Sequence, residues 1–388
     1  MFLSMKKIVV ASDSFKGCLS SMEVADAVER ALSQTCPSCE VVKVDIADGG
    51  EGTMEALRRT LGGDEISIEV SDPLGRPVCA SYVILEDGIT AIVEMAVASG
   101  LSLLRSDERN PLKTSTYGTG QLIADALCRG CRKFLIGIGG SATNDAGMGL
   151  LEALGYRFLD KHGSVLRGCG EALGQVASID VSLINPLLAE SEFIVACDVE
   201  APLYGSKGAA CVFAPQKGAD SVMVQSLDMG LRHFSEIVAT HQNTIKDYSC
   251  ALGAGAAGGL GFAFMSFFNA RLVRGIDMVL DAIGFDKIIK SADLIITGEG
   301  KIDSQTLTGK APYGVLQRAK RQGIPVVAIG GSVKLDSVQA EAAGFVSLLQ
   351  ITPPSMSLND AMKPEIAAGN IVCTITRLFL SSPKTYLE

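Results

Sequence analysis

Five times along this 388-residue chain a short apolar run stops at a loop that carries an aspartate: Asp13, Asp48, Asp145, Asp198 and Asp303. Apolar, β-branched runs this short, bounded by glycine or polar residues, read as buried strands rather than helices. At both ends of the chain they alternate with helical periodicity: runs at 6–11, 41–46, 294–297, 325–329 and 345–350, helices at 22–32, 54–61, 315–321 and 361–380. Such alternation predicts β-α-β units around a parallel sheet, with ligands at the carboxyl ends of the strands. The fold class expected is α/β, with one doubly wound domain built from both ends of the chain and a second domain in the middle. From 64 to 96 short strands joined by tight turns indicate an antiparallel or mixed piece, which places a domain change near Asp64. The resulting boundaries are 5–63 plus 285–388 for the first domain, with about 115–150 fitting it as well, and 64–284 for the second.

The stretch Asp293–Lys310 is the densest in chemistry. Leu294–Thr297 reads as a strand that Gly298-Glu299-Gly300 breaks; Lys301, Lys310, Asp303, Ser304, Thr306 and Thr308 follow. Glycines let backbone N–H groups approach an anion, lysines neutralise it, and carboxylates hold Mg²⁺ or accept a proton. An ordinary strand-to-helix loop with a solvated charge run is the plainer alternative. Comparable loops are Ser12–Gly17, Ala47–Thr53, Gly139–Gly147 and the turn carrying Lys217. The hydroxyl-rich lead 110–120 can either bind an anion at a helix start or simply cap that helix.

A net charge of −9 with no dense Lys/Arg block excludes a nucleic-acid or anionic-membrane surface, so an anionic small molecule has to be captured by local lysines. The N-terminus lacks a secretory signal, Met5 is a candidate start, and glycines interrupt the uncharged run 248–270, so a cytoplasmic protein is expected. The eleven cysteines, CPSC at 36–39 and CRGC at 128–131 among them, fit neither zinc nor thioredoxin spacing and read as reduced, structural thiols. His162, His233 and His241 are too dispersed for a metal site.

Two stretches match the letters of a dinucleotide fingerprint, Gly137-x-Gly139-x-x-Ala142 with Asp160 downstream and Gly253-x-Gly255-x-x-Gly258, which makes a nicotinamide-dependent oxidoreductase a rival class. Against it, Asp160 sits in an apparent turn, and Asn144 and Asp145 crowd the first loop. A non-enzymatic nucleotide sensor is the other rival. A binding module needs one acidic glycine loop, whereas phosphoryl transfer needs phosphate donors, metal carboxylates and a base, and the set here suits a kinase. The Walker pattern and the protein-kinase motifs are both absent.

Seven stretches carry a resemblance: DSFKG at Asp13, ADGGEGT at Ala47, GGSATND at Gly139, ACDV at Ala196, PQKGA at Pro215, GAGAAGGLG at Gly253 and GEGKIDSQ at Gly298. From Met5 onward the chain resembles the type I bacterial glycerate kinases. The resemblance implies transfer of the γ-phosphoryl group of Mg-ATP to D-glycerate, giving 2-phosphoglycerate, or 3-phosphoglycerate by older assignments. It also implies a Rossmann-like domain interleaved with a second α/β domain and an active site in the cleft. Departures from the pattern are Ala11 for Pro, Cys18 for Ser, Ala146 for Gly, Ala201 for Asn and Lys301 for Arg.

Chemistry then suggests roles. Asp198 is the expected base for the glycerate hydroxyl, with Asp303 as its alternative or as a Mg²⁺ ligand beside Asp145, and Lys16 is the third catalytic candidate. The nucleotide cradle is expected from Gly139, Gly140, Ser141, Asn144, Gly255, Gly258, Gly298, Glu299, Gly300, Lys301 and Lys310, and substrate contacts from Asp13, Asp48 and Lys217.

Overall fold

The computed structural model describes residues 5–48, 52–242 and 247–381; Gly49, Gly50 and Glu51 of the second acidic loop lie outside them. The chain forms two compact units. Of the described residues, 5–48, 55–60 and 279–381 make the first, and 52–54, 61–242 and 247–278 the second, which includes the stretch 115–150.

The first unit is built on a fully parallel five-stranded sheet in the order Ser347–Gln350, Val326–Val333, Leu294–Ile302, Lys7–Val10, Glu40–Lys43. Strand order reverses between Lys7–Val10 and Leu294–Ile302, where Ile8 lies opposite Leu294 and Val10 opposite Ile296. A doubly wound sheet opens its ligand crevice at the carboxyl ends of the two strands flanking such a reversal. The helix Ser21–Thr35 starts with the capping box read from the sequence, Ser20 and Glu23 each satisfying the other's backbone N–H. It packs on Pro364–Ser381, and Val24, Val28, Leu32, Ile371 and Ile375 join Ile8, Val10 and Ile296 in one core. The helix expected at 361–380 is two, Leu358–Ala361 and Pro364–Ser381, because a proline starts a helix well but cannot continue one.

Another expectation is corrected here. The strand at 294–297 does not break at Gly298 but runs to Ile302, with Gly298 opposite Ile329 and Lys301 opposite Ser332. A Cβ on Gly298 would lie 2.4 Å from the Ile329 carbonyl oxygen, so this glycine permits strand contact rather than ending the strand.

The second unit holds a six-stranded mixed sheet in the order Arg271–Val273, Glu192–Ala196, Lys133–Gly137, Thr90–Glu94, Pro77–Ile84, Asp64–Ser71. The first four strands are parallel and the last three antiparallel neighbours, as the tight-turn pattern of 64–96 indicated. A small antiparallel sheet of Arg157–Leu159, Val165–Leu166 and Ser178–Asp180 stands apart from it. Phe134, Phe193, Phe262 and Phe264 fill the core, with Phe134 stacked on Phe193 at 4.8 Å between ring centroids. Among the described residues no helix is long and apolar enough to cross a membrane.

Two left-handed turns interlock in this unit. Within Ala256–Phe268 the residues Ala257, Gly258 and Gly259 have φ of 51°, 70° and 94°, and opposite them Ala146 has φ 50°. The Ala146 N–H donates to the Gly258 carbonyl at 3.0 Å, and a Cβ on Gly258 would lie 2.1 Å from the Thr143 oxygen. Alanine in this conformation is strained by roughly 1–2 kcal/mol, partly offset by the entropy glycine loses on folding. Ala146→Gly is therefore expected to stabilise the protein by about 0.5–1 kcal/mol. The check is a urea midpoint that rises with an unchanged m-value; an unchanged or lower midpoint contradicts the strain.

Candidate functional site

In the first unit the crevice at the strand reversal is a cavity of about 600 Å³. Asp13 stands at its base. The Asp13 N–H donates to the Gly298 carbonyl at 2.9 Å, and the Ser14 N–H donates to the Asp13 carboxylate at 2.7 Å. Its lining includes the charged residues Lys16, Glu299, Lys301, Lys310 and Lys334 and the apolar residues Phe15, Ile351, Met356, Leu358 and Met362. Thr306 donates to Glu299 at 2.5 Å and Lys310 lies 3.4 Å from its other oxygen. Lys16 pairs with Asp48 at 3.1 Å and Lys301 with Asp303 at 2.7 Å. Asp48 and Asp303 thus reach the site through lysines of its wall.

Burial sorts these acids. It pushes Asp13 up to about 7, helped by the negative charge of Asp48 and Glu299. Burial also raises Glu299, against the pull of Thr306 and Lys310. Asp303, bonded to Lys301, is held below the ordinary carboxylate range.

In the second unit the loop after Lys133–Gly137 lines a cavity of about 360 Å³ together with Asp198 and Lys217. Lys217 is only 2% exposed. Its Nζ donates to Ser141 Oγ and to the Thr143 carbonyl, each at 2.7 Å. Burial drives this amine down to about 7, opposed by the charge of Asp145. Asp198 lies on the exposed edge and accepts the Gly275 N–H at 3.1 Å.

Asp145 is completely buried and accepts four hydrogen bonds, from Thr116 N–H, Thr116 Oγ1, Gly147 N–H and Gly149 N–H. Oδ2 takes three of these bonds and Oδ1 one, so the carboxylate is tied into the loop that it organises. The hydroxyls of the 110–120 lead likewise turn inward: Thr116 bonds Asp145, and Thr114 bonds the Ala142 carbonyl. Asn144 is fully buried, and its amide atoms have no partner.

The candidate glycines divide by the room around them. A Cβ would meet nothing within 4 Å at Gly139, only a side chain at 3.4 Å at Gly140, and nothing nearer than 3.6 Å at Gly300. Gly255, Gly258 and Gly298 are instead filled by backbone, with Gly255 2.2 Å from the Pro202 oxygen, so they serve close packing. The dinucleotide reading fails on geometry: after Gly137 the next helix begins only at Met148, and the Asp160 carboxylate accepts the N–H groups of its own turn, His162 and Ser164. Lys334, Gln350 and Thr352 line the first cavity but were not singled out by sequence, because each lies outside a glycine-rich motif.

The chain matches the glycerate kinase family over residues 8–379. It is 48% identical over 358 residues to the glycerate kinase of Bacillus subtilis, covering 92% of this chain and 93% of the relative. It is 42% identical over 373 residues to the glycerate 2-kinase of Escherichia coli, covering 96% of each. A crystal structure from Salmonella typhimurium LT2, assigned as a glycerate kinase 2, matches with a TM-score of 0.87 at 41% identity, covering 97% of this chain and 98% of that one.

The burial of Asp13 carries a stability signature. Its folded pKa lies above the unfolded one, so the native state holds the extra proton between about pH 4 and 7 and loses stability as pH rises through that window. Asp13→Asn is expected to raise the melting temperature at pH 8 in metal-free buffer by several degrees and to leave it nearly unchanged at pH 4. Equal effects at both pH values would show that Asp13 titrates normally.

Proposed function

The chain belongs to the glycerate kinase family and is a phosphotransferase, and from that premise we propose that it transfers the γ-phosphoryl group of ATP to D-glycerate, giving 2-phosphoglycerate. The observation that carries the reading is the first unit's cavity, whose lining combines apolar side chains with four lysines at a strand-order reversal. Phe15, Ile351, Met356 and Leu358 suit a nucleobase, and Lys16, Lys301, Lys310 and Lys334 suit its phosphates. The volume of about 600 Å³ is that of a small-molecule site.

Mg²⁺ fits the same cavity. Asp13 is crowded by the negative charge of Asp48 and Glu299, an arrangement that a cation relieves, and Mg²⁺ is commonly held by one or two carboxylates plus substrate phosphates. Asp13 and Glu299 are the residues that would hold it, in place of Asp145, which is fully buried and tied to its own loop by four hydrogen bonds. When bound, the ion would neutralise charge on the nucleotide's phosphates. Asp303, kept ionised by Lys301, is a weak proton acceptor and acts by setting the position of that lysine.

The second unit's cavity suits the acceptor. Asp198 accepts the proton of the attacking glycerate hydroxyl as its oxygen bonds to phosphorus and ADP leaves, while Gly139, Gly140, Ser141 and Lys217 supply room and positive charge for an anion.

The test is glycerate-dependent ADP release from Mg-ATP, with a no-glycerate control and the product identified by phosphorus NMR. The expected product is 2-phosphoglycerate; ATP binding without turnover on any hydroxy acid would overturn the reading. For Asp198→Asn the expected loss in kcat is on the order of 10² to 10⁴ with an unchanged melting temperature. Near-normal turnover would return Asp198 to a structural role.

A further inference from the structure

We propose that the Ser141 hydroxyl, held by the buried Lys217, is the group that recognises the acceptor's carboxylate, so that this pair makes the enzyme select a hydroxy acid over a neutral polyol. The inference rests on the reading of the protein as a glycerate kinase and names the subsite that reads the acid.

The geometry turns one proton away from the lysine. A lysine ammonium has three donors and no acceptor. Two of the donors are spent on Ser141 Oγ and the Thr143 carbonyl, both at 2.7 Å. Because Ser141 Oγ accepts from Lys217, its own O–H proton points elsewhere, and Ser141 lines the cavity. An oxygen that accepts from a cation is a stronger donor in turn. A carboxylate oxygen placed there receives that proton and faces Gly139 and Gly140, where a Cβ would meet nothing nearer than 3.4 Å.

Charge supplies the selectivity. Lys217 is 2% exposed, and its burial costs free energy that only partly returns through the charge of Asp145. An anion in the cavity stabilises the ammonium and is stabilised by it, whereas a neutral polyol offers no such coupling. The other charged group facing the cavity is Asp198, on the hydroxyl side of the proposed chemistry. Ser141 is thus a binding residue and Lys217 a positioning residue that acts through it.

The test separates binding from turnover. Ser141→Ala is expected to raise the KM for D-glycerate roughly 10- to 100-fold, the size of a lost charge-assisted hydrogen bond, with kcat within about threefold and the KM for Mg-ATP unchanged. Ser141→Thr, which keeps the hydroxyl, restores a KM near that of the wild type. Lys217→Met keeps the length without the charge, and it is expected to raise the same KM while flattening its rise above pH 7. Should Lys217→Met fail to fold, the two Ser141 variants decide alone. A rise in the KM for Mg-ATP instead assigns the pair to a phosphate and overturns the proposal, as does an unchanged KM for D-glycerate in Ser141→Ala. If the wild type shows no turnover, the kinase reading falls first; calorimetric binding of D-glycerate to wild type and Ser141→Ala then judges the subsite, and equal affinities or no binding to either overturn it.

Discussion

No solvent reaches the carboxylate of Asp145, and four donors converge on its two oxygens. An isolated carboxylate in such a place would be prohibitive; with three donors on Oδ2 and one on Oδ1 it becomes an organising centre. It ties the start of Tyr117–Cys128 to the start of Met148–Ala153 and so fixes the intervening Gly139–Gly147 loop. Burial raises its carboxyl above the ordinary carboxylate range against the pull of those donors, and its ionised form opposes the desolvation of Lys217. The shape of the second unit's cavity therefore depends on a residue that is itself fully buried. Replacing Asp145 by a neutral residue removes the partner of several buried donors at once, which is the costly way to break a buried network.

The first unit solves a related problem differently. Its strand-order reversal opens a crevice between Lys7–Val10 and Leu294–Ile302, and the acids there remain at the cavity wall. Asp13 and Glu299 are both raised by burial, while Lys16, Lys301 and Lys310 each stand in a charge pair. Such a wall carries both signs of charge and suits a ligand that brings a polyanion and a divalent cation together.

Much of this was legible in the chain. Alternating apolar runs and helical stretches gave the doubly wound sheet, and the turns of 64–96 gave the mixed one, because period and turn chemistry are local properties. The capping box at Ser20 was readable for the same reason. Where reading failed, the deciding contact was distant in sequence. Gly298 looks like a strand break until Ile329 is beside it, and Gly258 looks like a phosphate-binding glycine until Thr143 fills its space. Nor does the sequence show that Asp145 is fully buried with Thr116 turned toward it. Lys334 escaped notice since only the strand Val326–Val333 carries it to the cavity. Ala11 departs from the family's proline and donates its N–H to the Ile296 carbonyl at 2.9 Å, a bond that proline cannot make.

The account as a whole depends on a desolvated lysine that waits for an anion. The most direct measurement is an NMR titration of the Lys217 side chain, assigned by its loss in Lys217→Met, with and without saturating D-glycerate. The expected midpoint is about 7 in the free protein, against the ordinary lysine value of 10.5, and it moves upward when the acid binds. A midpoint near 10.5 that D-glycerate leaves in place would contradict it.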